Sequence, residues 1–157
     1  MDVRRATPDD WPAVAALLAE LGRPNVLGTS EEEPARLLFL DYLKRRDAVA
    51  LVAVDGGRVI GFCDVEFRPR LNFTTTQAWI PDLIVAEGER SRGAGAALLN
   101  RAVELAAGRE CWSIALESAN WRTRAHAFYE REGWQDTAHA FAKMLDQSLT
   151  WPPQPKP

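Results

Sequence analysis

The chain has 157 residues and a formal net charge of -3, so it presents no net basic field to attract a nucleic acid. With 46% hydrophobic and 26% charged residues it has the composition of a globular protein, long enough for one domain that buries roughly two-thirds of its unfolded surface. No run approaches the ~18 apolar residues of a membrane span, and Met1 to Arg5 lack the apolar stretch of a secretory signal. The expectation is a cytoplasmic protein without nucleic-acid or membrane partners. Cys63 and Cys111 are far apart, with no paired-cysteine motif and only two histidines in the chain, so no metal set is expected and both read as buried thiols.

A short strand is expected over 3–6. Thr7 is then placed to cap a helix, with Pro8 at its first position and Asp9 and Asp10 at the positive end of the dipole. Trp11, Val14, Leu17, Leu18 and Leu21 share one helical face, and Gly22 with Pro24 ends it. A second helix is expected over 33–46, led by Glu31, Glu32 and Glu33 and closed by Lys44, Arg45 and Arg46. Its apolar face is unusually broad, from Leu37 to Leu43. Two readings stay open: burial on two sides, or a helix of which part lines a substrate cleft.

The apolar run 48–54, the turn Asp55-Gly56-Gly57 and the run 58–67 predict an antiparallel hairpin. A polar connection over 69–76 leads into a strand over 78–85, within which Pro81 predicts a bulge or a missing ladder bond. Helical spacing returns over 93–107 through Leu98, Ala102 and Leu105, followed by a strand over 112–117 and a helix over 122–132 closed by Gly133. Two closing strands are expected over 134–137 and 140–145. The order contains no repeat and no linker, so a single domain is expected over 1–147, followed by a Pro-rich tail over 148–157.

Three features coincide at 83–98. An apolar strand ends at Val85, a turn carries Gly93 and Gly95 beside Arg90 and Arg92, and an amphipathic helix opens there. A helix start offers free backbone N–H groups and a positive dipole end, and glycine lets an anion approach them. Ala96 and Ala97 stand where a nucleotide-triphosphate loop needs lysine and a hydroxyl residue, and Leu98 where a dinucleotide fold wants a third glycine. The residues alone leave two readings, an anion cradle or glycines that only tighten a turn.

The run Arg90-Ser91-Arg92-Gly93-Ala94-Gly95-Ala96 resembles the R/Q-x-x-G-x-G/A motif of the GNAT superfamily of N-acetyltransferases. Leu83-Ile84-Val85 resembles the strand before that motif, and Asn120 through Ala125-His126-Ala127-Phe128-Tyr129 to Gly133-Trp134 resembles the family's N-x-x-A-x-x-F-Y-x-x-x-G-F segment. The resemblance spans about 3–145. It implies an α/β (α+β) fold, with a mixed, mostly antiparallel sheet of six to seven strands flanked by four helices. It also implies acetyl-CoA as cosubstrate and direct attack of a neutral amine on the thioester, with no metal.

In that reading the backbone of Arg92, Gly93, Ala94, Gly95 and Ala96 holds the pyrophosphate, with Arg90 at the head of the motif. Leu83, Ile84 and Val85 pair with the pantetheine arm like an added strand, and an N–H near Val85 polarises the acetyl oxygen. Tyr129 is the implied general acid for the coenzyme A thiolate, since a phenol with a pKa near ~10 is protonated at neutral pH. Asp82 is the first candidate to accept the amine proton and Glu117 the second. His126 is a candidate relay but reads better as a surface residue.

Asn120 has two uses, bonding the pantetheine arm or capping the following helix. Arg122 and Arg124 are candidate phosphate contacts, though arginines near a helix start need no ligand. Trp79, Trp112 and Trp134 read as packing, while Trp11 and Glu20 border the acceptor cleft. The expected acceptor is a primary amine on a small cationic molecule. The alternatives are a protein N-terminus or lysine and, in a different class, a domain that senses acyl-CoA without turnover. Relatives pair through their sheets or C-terminal strands, so a homodimer is expected.

Overall fold

The structure, a computed structural model, describes residues 1–146 and 148, in two compact units, 1–116 and 117 onward. The first unit holds the sheet and three helices. Its elements are β1 (Asp2–Arg5), α1 (Trp11–Leu21), α2 (Glu32–Lys44), β2 (Ala48–Asp55), β3 (Arg58–Arg68), β4 (Gln77–Ile80), β5 (Leu83–Val85), α3 (Ala94–Gly108) and β6 (Ser113–Leu116). The strands run in the order β1-β2-β3-β4-β6, antiparallel except for the parallel pair β4-β6. The expected mixed, mostly antiparallel sheet is therefore present, with six strands.

The expected hairpin forms as read. Asp55 pairs with Arg58, and the two-residue loop between them has φ of 54° at Gly56 and 76° at Gly57, the left-handed conformation that a tight hairpin turn requires. At the first helix, Thr7 donates to Asp10 from its backbone N–H at 2.7 Å and from its hydroxyl at 3.1 Å. Arg4 donates two hydrogen bonds to the same buried carboxylate, at 2.7 and 2.9 Å, and thereby ties β1 to the start of α1. The Arg4 guanidinium holds the Asp10 carboxyl below its ordinary range despite burial.

The sheet is covered on both faces. Trp11, Val14 and Leu17 of α1 and Phe39 of α2 pack with Ala50, Val52, Phe62 and Ile84 on one face. Side chains alternate along a strand, so Gly61 and Cys63 of β3 point the other way. A Cβ placed on Gly61 would meet Leu98 of α3 at 3.0 Å, which puts α3 on that second face.

The strand expected over 78–85 is two strands. β4 pairs with the end of β3 and with β6, whereas β5 pairs with β3 alone, in the register Gly61–Val85, Phe62–Ile84 and Cys63–Leu83. Pro81 and Asp82 make the break. Because β6 follows β4 and not β5, the edge of β5 facing away from β3 has no strand partner among the described residues.

The second unit carries α4 (Thr123–Arg131), ended by Gly133 at φ 85°. Phe128 and Tyr129 lie 5.3 Å apart between ring centroids, and Tyr129 and Trp134 lie 6.2 Å apart. The closing strands expected over 134–137 and 140–145 are not formed. The reason is visible in the pattern: Ala140, Phe141, Ala142, Met144 and Leu145 fall on both faces of a period of two, so no register buries one face. Phe141 and Leu145 are 97% and 90% exposed. Of the expected Pro-rich tail only Ser148 lies within the described residues.

Candidate active site

At the start of α3, Gly93 occupies the N-cap with φ 86°, a conformation available to glycine at little cost. The first intrahelical bond runs from the Ala97 N–H to the Gly93 carbonyl at 2.9 Å, so the amides of Ala94, Gly95 and Ala96 precede the helical ladder. The arginines of the motif are engaged in ion pairs. Arg90 donates to Glu20 at 3.1 Å and to the Val85 carbonyl at 3.3 Å, and Arg92 pairs with Asp55 at 2.8 Å and with Glu89. Their side chains brace the turn, and the amides of Ala94, Gly95 and Ala96 stand at the helix start. These pairs are exposed, so each contributes little to stability.

Against the other face of the sheet lies a cavity of about 310 Å³. Trp11, Leu18, Val26, Leu38, Phe39 and Phe62 give it apolar walls, drawn from α1, the segment after it, α2 and β3. This answers the question left open by the broad face of α2. Leu38 is 73% exposed and Phe39 is buried, and both line the cavity, so the apolar excess serves a cleft and not a second packed layer. Of the two residues expected to border the cleft, Trp11 does, and Glu20 instead bonds Arg90.

The polar end of the cavity is built by three residues. Asp82, in the break between β4 and β5, accepts a hydrogen bond from Arg23 Nε at 2.9 Å and a second from Nη2. Arg23 follows the left-handed Gly22 that ends α1, and it also reaches the Pro81 carbonyl at 3.4 Å. Asp64 of β3 shares a strand face with Phe62 and accepts the Asp82 N–H on Oδ1 at 2.8 Å, while its own N–H donates to the Asp82 carbonyl at 3.2 Å. Asp64 forms no salt bridge among the described residues and is 7% exposed.

Burial and then the neighbouring Asp82 charge push the Asp64 carboxyl up to about 7, against the opposing hydrogen bond from the Asp82 N–H. Asp82 is raised by burial, with Arg23 acting against the shift. The buried Tyr42 hydroxyl lies beside the Asp64 carboxyl and favours its ionised form, while burial and then the Asp64 charge push the ionisation of the phenol far up.

Of the three residues that meet at this end of the cavity, the sequence singles out Asp82 and not Asp64 or Arg23. Asp64 looks like any polar residue within an apolar strand, and only the pairing of β3 with the β4–β5 break brings it beside Asp82. Leu83, Ile84 and Val85 form β5, directly after Asp82, so the cavity reaches the start of the open-edged strand. In the second unit, Asn120 is exposed and lies in a turn closed by Arg122 N–H to Ala119 carbonyl at 2.9 Å. It does not cap α4, whose N-cap is Arg122, because the helix starts three residues later. Tyr129 and His126 are half-buried on α4, and Glu117 is exposed just beyond β6. Of the tryptophans read as packing, Trp112 is 42% exposed and stacks on Phe73 at 4.2 Å. Cys63 is fully buried and Cys111 only half-buried.

An open-edged strand leading to bare helix amides suits a long phosphorylated arm, and the cavity at its start suits a second, smaller substrate. The class, a coenzyme-dependent acyltransferase, is given by the family that the chain matches. The chain belongs to the acetyltransferase (GNAT) family, whose model matches residues 11–134. The uncharacterised N-acetyltransferase YhfO of Bacillus subtilis (strain 168) is 26% identical over 135 residues, 85% of this chain and 89% of its own. A putative acetyltransferase from Agrobacterium tumefaciens str. C58 superposes with a TM-score of 0.81 at 24% identity, over 92% of this chain and 99% of that one. Glucosamine-6-phosphate N-acetyltransferase from Arabidopsis thaliana does so with a TM-score of 0.79 at 18% identity, over 92% and 98%. These two structures bear on the fold. The family makes the protein an acetyl-CoA-dependent N-acetyltransferase.

Proposed function

We propose that the protein transfers the acetyl group of acetyl-CoA directly to the primary amine of a small cationic molecule held in the cavity between α1 and α2. The observation that carries this reading is the Asp64–Asp82 pair at the polar end of an otherwise apolar cavity, at the start of β5. A pocket of about 310 Å³ is at the small end of the range for small-molecule sites. Its carboxylates favour a cation.

Acetyl-CoA fits the features on the other side of β5. The open edge of Leu83, Ile84 and Val85 offers backbone groups to the amides of the pantetheine arm, and the amides of Gly93, Ala94, Gly95 and Ala96 offer donors to its pyrophosphate. Arg90 and Arg92 brace that turn through Glu20, Asp55 and Glu89. Asn120 is proposed to bond the arm.

Within the carboxylate pair, Asp82 is held by Arg23 and aims its neighbour through its N–H, while Asp64 is the member poised near neutrality to accept the amine proton. Tyr129 is proposed to donate a proton to the departing thiolate. Coenzyme A release, followed with acetyl-CoA and a set of small amines and peptides, tests the reading. Small cationic amines should accelerate release most. Acceleration by peptides alone points to protein acetylation, and measurable acetyl-CoA binding without release points to a sensor.

A further inference from the structure

The cavity's own chemistry narrows the acceptor. Resting on the acetyltransfer reading above, we infer that the acceptor is an amphipathic monoamine, an apolar alkyl or aryl body bearing a single primary ammonium, and not a polyamine or amino sugar.

Charge gives the first constraint. Two carboxylates face the cavity, and one of them, Asp82, is already paired with Arg23. That leaves Asp64 as the group that can balance one incoming ammonium. A second ammonium held within the cavity would sit against Leu18, Val26 or Phe39, where a buried charge has no partner and is costly. The walls give the second constraint. Beyond Arg23, Asp64 and Asp82, the lining carries two further polar atoms, the buried Trp11 indole N–H and the buried Tyr42 hydroxyl, among aliphatic and aromatic groups. A polyhydroxylated acceptor has more hydroxyls than these two atoms can meet, and would leave the rest against aromatic and aliphatic groups without partners. An apolar body removes the same walls from water.

The transfer balances for such a substrate. The ammonium gives one proton to Asp64, and the nitrogen lone pair then forms the N–C bond to the acetyl carbon. As the C–S bond breaks, its electrons leave with the coenzyme A sulfur, which takes a proton from the enzyme. The nitrogen gives up its second proton to make the neutral amide and replace the one the enzyme donated, and Asp64 passes its own proton to solvent.

The test is a series of alkylamines from ethyl to hexyl, with the hexyl diamine and glucosamine beside them, under initial-rate conditions with saturating acetyl-CoA. The inference predicts that kcat/KM climbs about fourfold per methylene as each is buried. The diamine should be poorer than hexylamine by about tenfold or more, and glucosamine poorer still. Leu38, on the rim and 73% exposed, supplies a variant that keeps the core: Leu38→Gln should flatten the rise at the long end of the series. A flat or falling series, or preference for the diamine or glucosamine, overturns the amphipathic class while leaving acetyltransfer standing. No thiol release with any amine, despite measured acetyl-CoA binding, overturns the acetyltransfer reading itself.

Discussion

Asp64 and Asp82 are two aspartates in one pocket with unequal partners, and the proposed mechanism rests on that inequality. Arg23 binds Asp82 directly, whereas Asp64 has a backbone N–H and burial, which leave it ionising at about 7. A base works in its deprotonated form, so turnover should rise with pH through about 7. Asp64→Asn should lower kcat by about 100-fold or more and remove that acidic limb, with acetyl-CoA affinity unchanged. A pH–rate series on both proteins checks this. The same carboxyl has a stability signature. Folded Asp64 keeps its proton to about 7, while an unfolded aspartate loses it near ~3.9. The folded state thus binds more protons in that window, and its stability falls as pH rises. Asp64→Asn should flatten the decline in urea titrations across this window. Tyr129→Phe should cut turnover by about 100-fold with little change in acetyl-CoA affinity, measured by isothermal titration. The family resemblance singled out Asp82 and Tyr129 as candidates. It could not single out Asp64 or Arg23, because their meeting depends on strand register and on where Gly22 turns the chain.

At the level of elements, the break at Pro81 and Asp82 matters most. It moves the chain from β4, held on both sides, to β5, held only by β3. Gly61 supports β5 from behind, since an added Cβ would meet the Ile84 carbonyl at 3.2 Å and Val85 Cγ2 at 3.4 Å. Gly61→Ala should push on β5, costing about 1 kcal/mol of stability in denaturant titrations and weakening acetyl-CoA binding. An unchanged affinity would show that β5 does not bear on the coenzyme. The elements legible in sequence were those with local signals, the Gly56-Gly57 hairpin and the stops at Gly22 and Gly133; at Pro81 the sequence marked an irregularity within one strand, not the division into two. The expected closing strands had no single apolar face to bury, and the broad face of α2 could be understood only once the cavity was in place.

Across the whole molecule, the described residues contain no helix long and apolar enough to cross a membrane. The central claim of the proposal is transfer between two bound substrates. A ligand that binds only the folded state stabilises it by about 2.7 kcal/mol at a hundred times its Kd, which for a domain of this size corresponds to a rise in Tm of roughly 5–10 °C. Acetyl-CoA should give such a rise, and a coenzyme lacking the pyrophosphate should give less. The most direct measurement is mass spectrometry after incubation with acetyl-CoA labelled in its acetyl group and a small primary amine. The account predicts the label in an amide on the amine, in step with free coenzyme A and with none left on the protein. Label retained on the protein, or bound acetyl-CoA that yields no labelled amide, would contradict it.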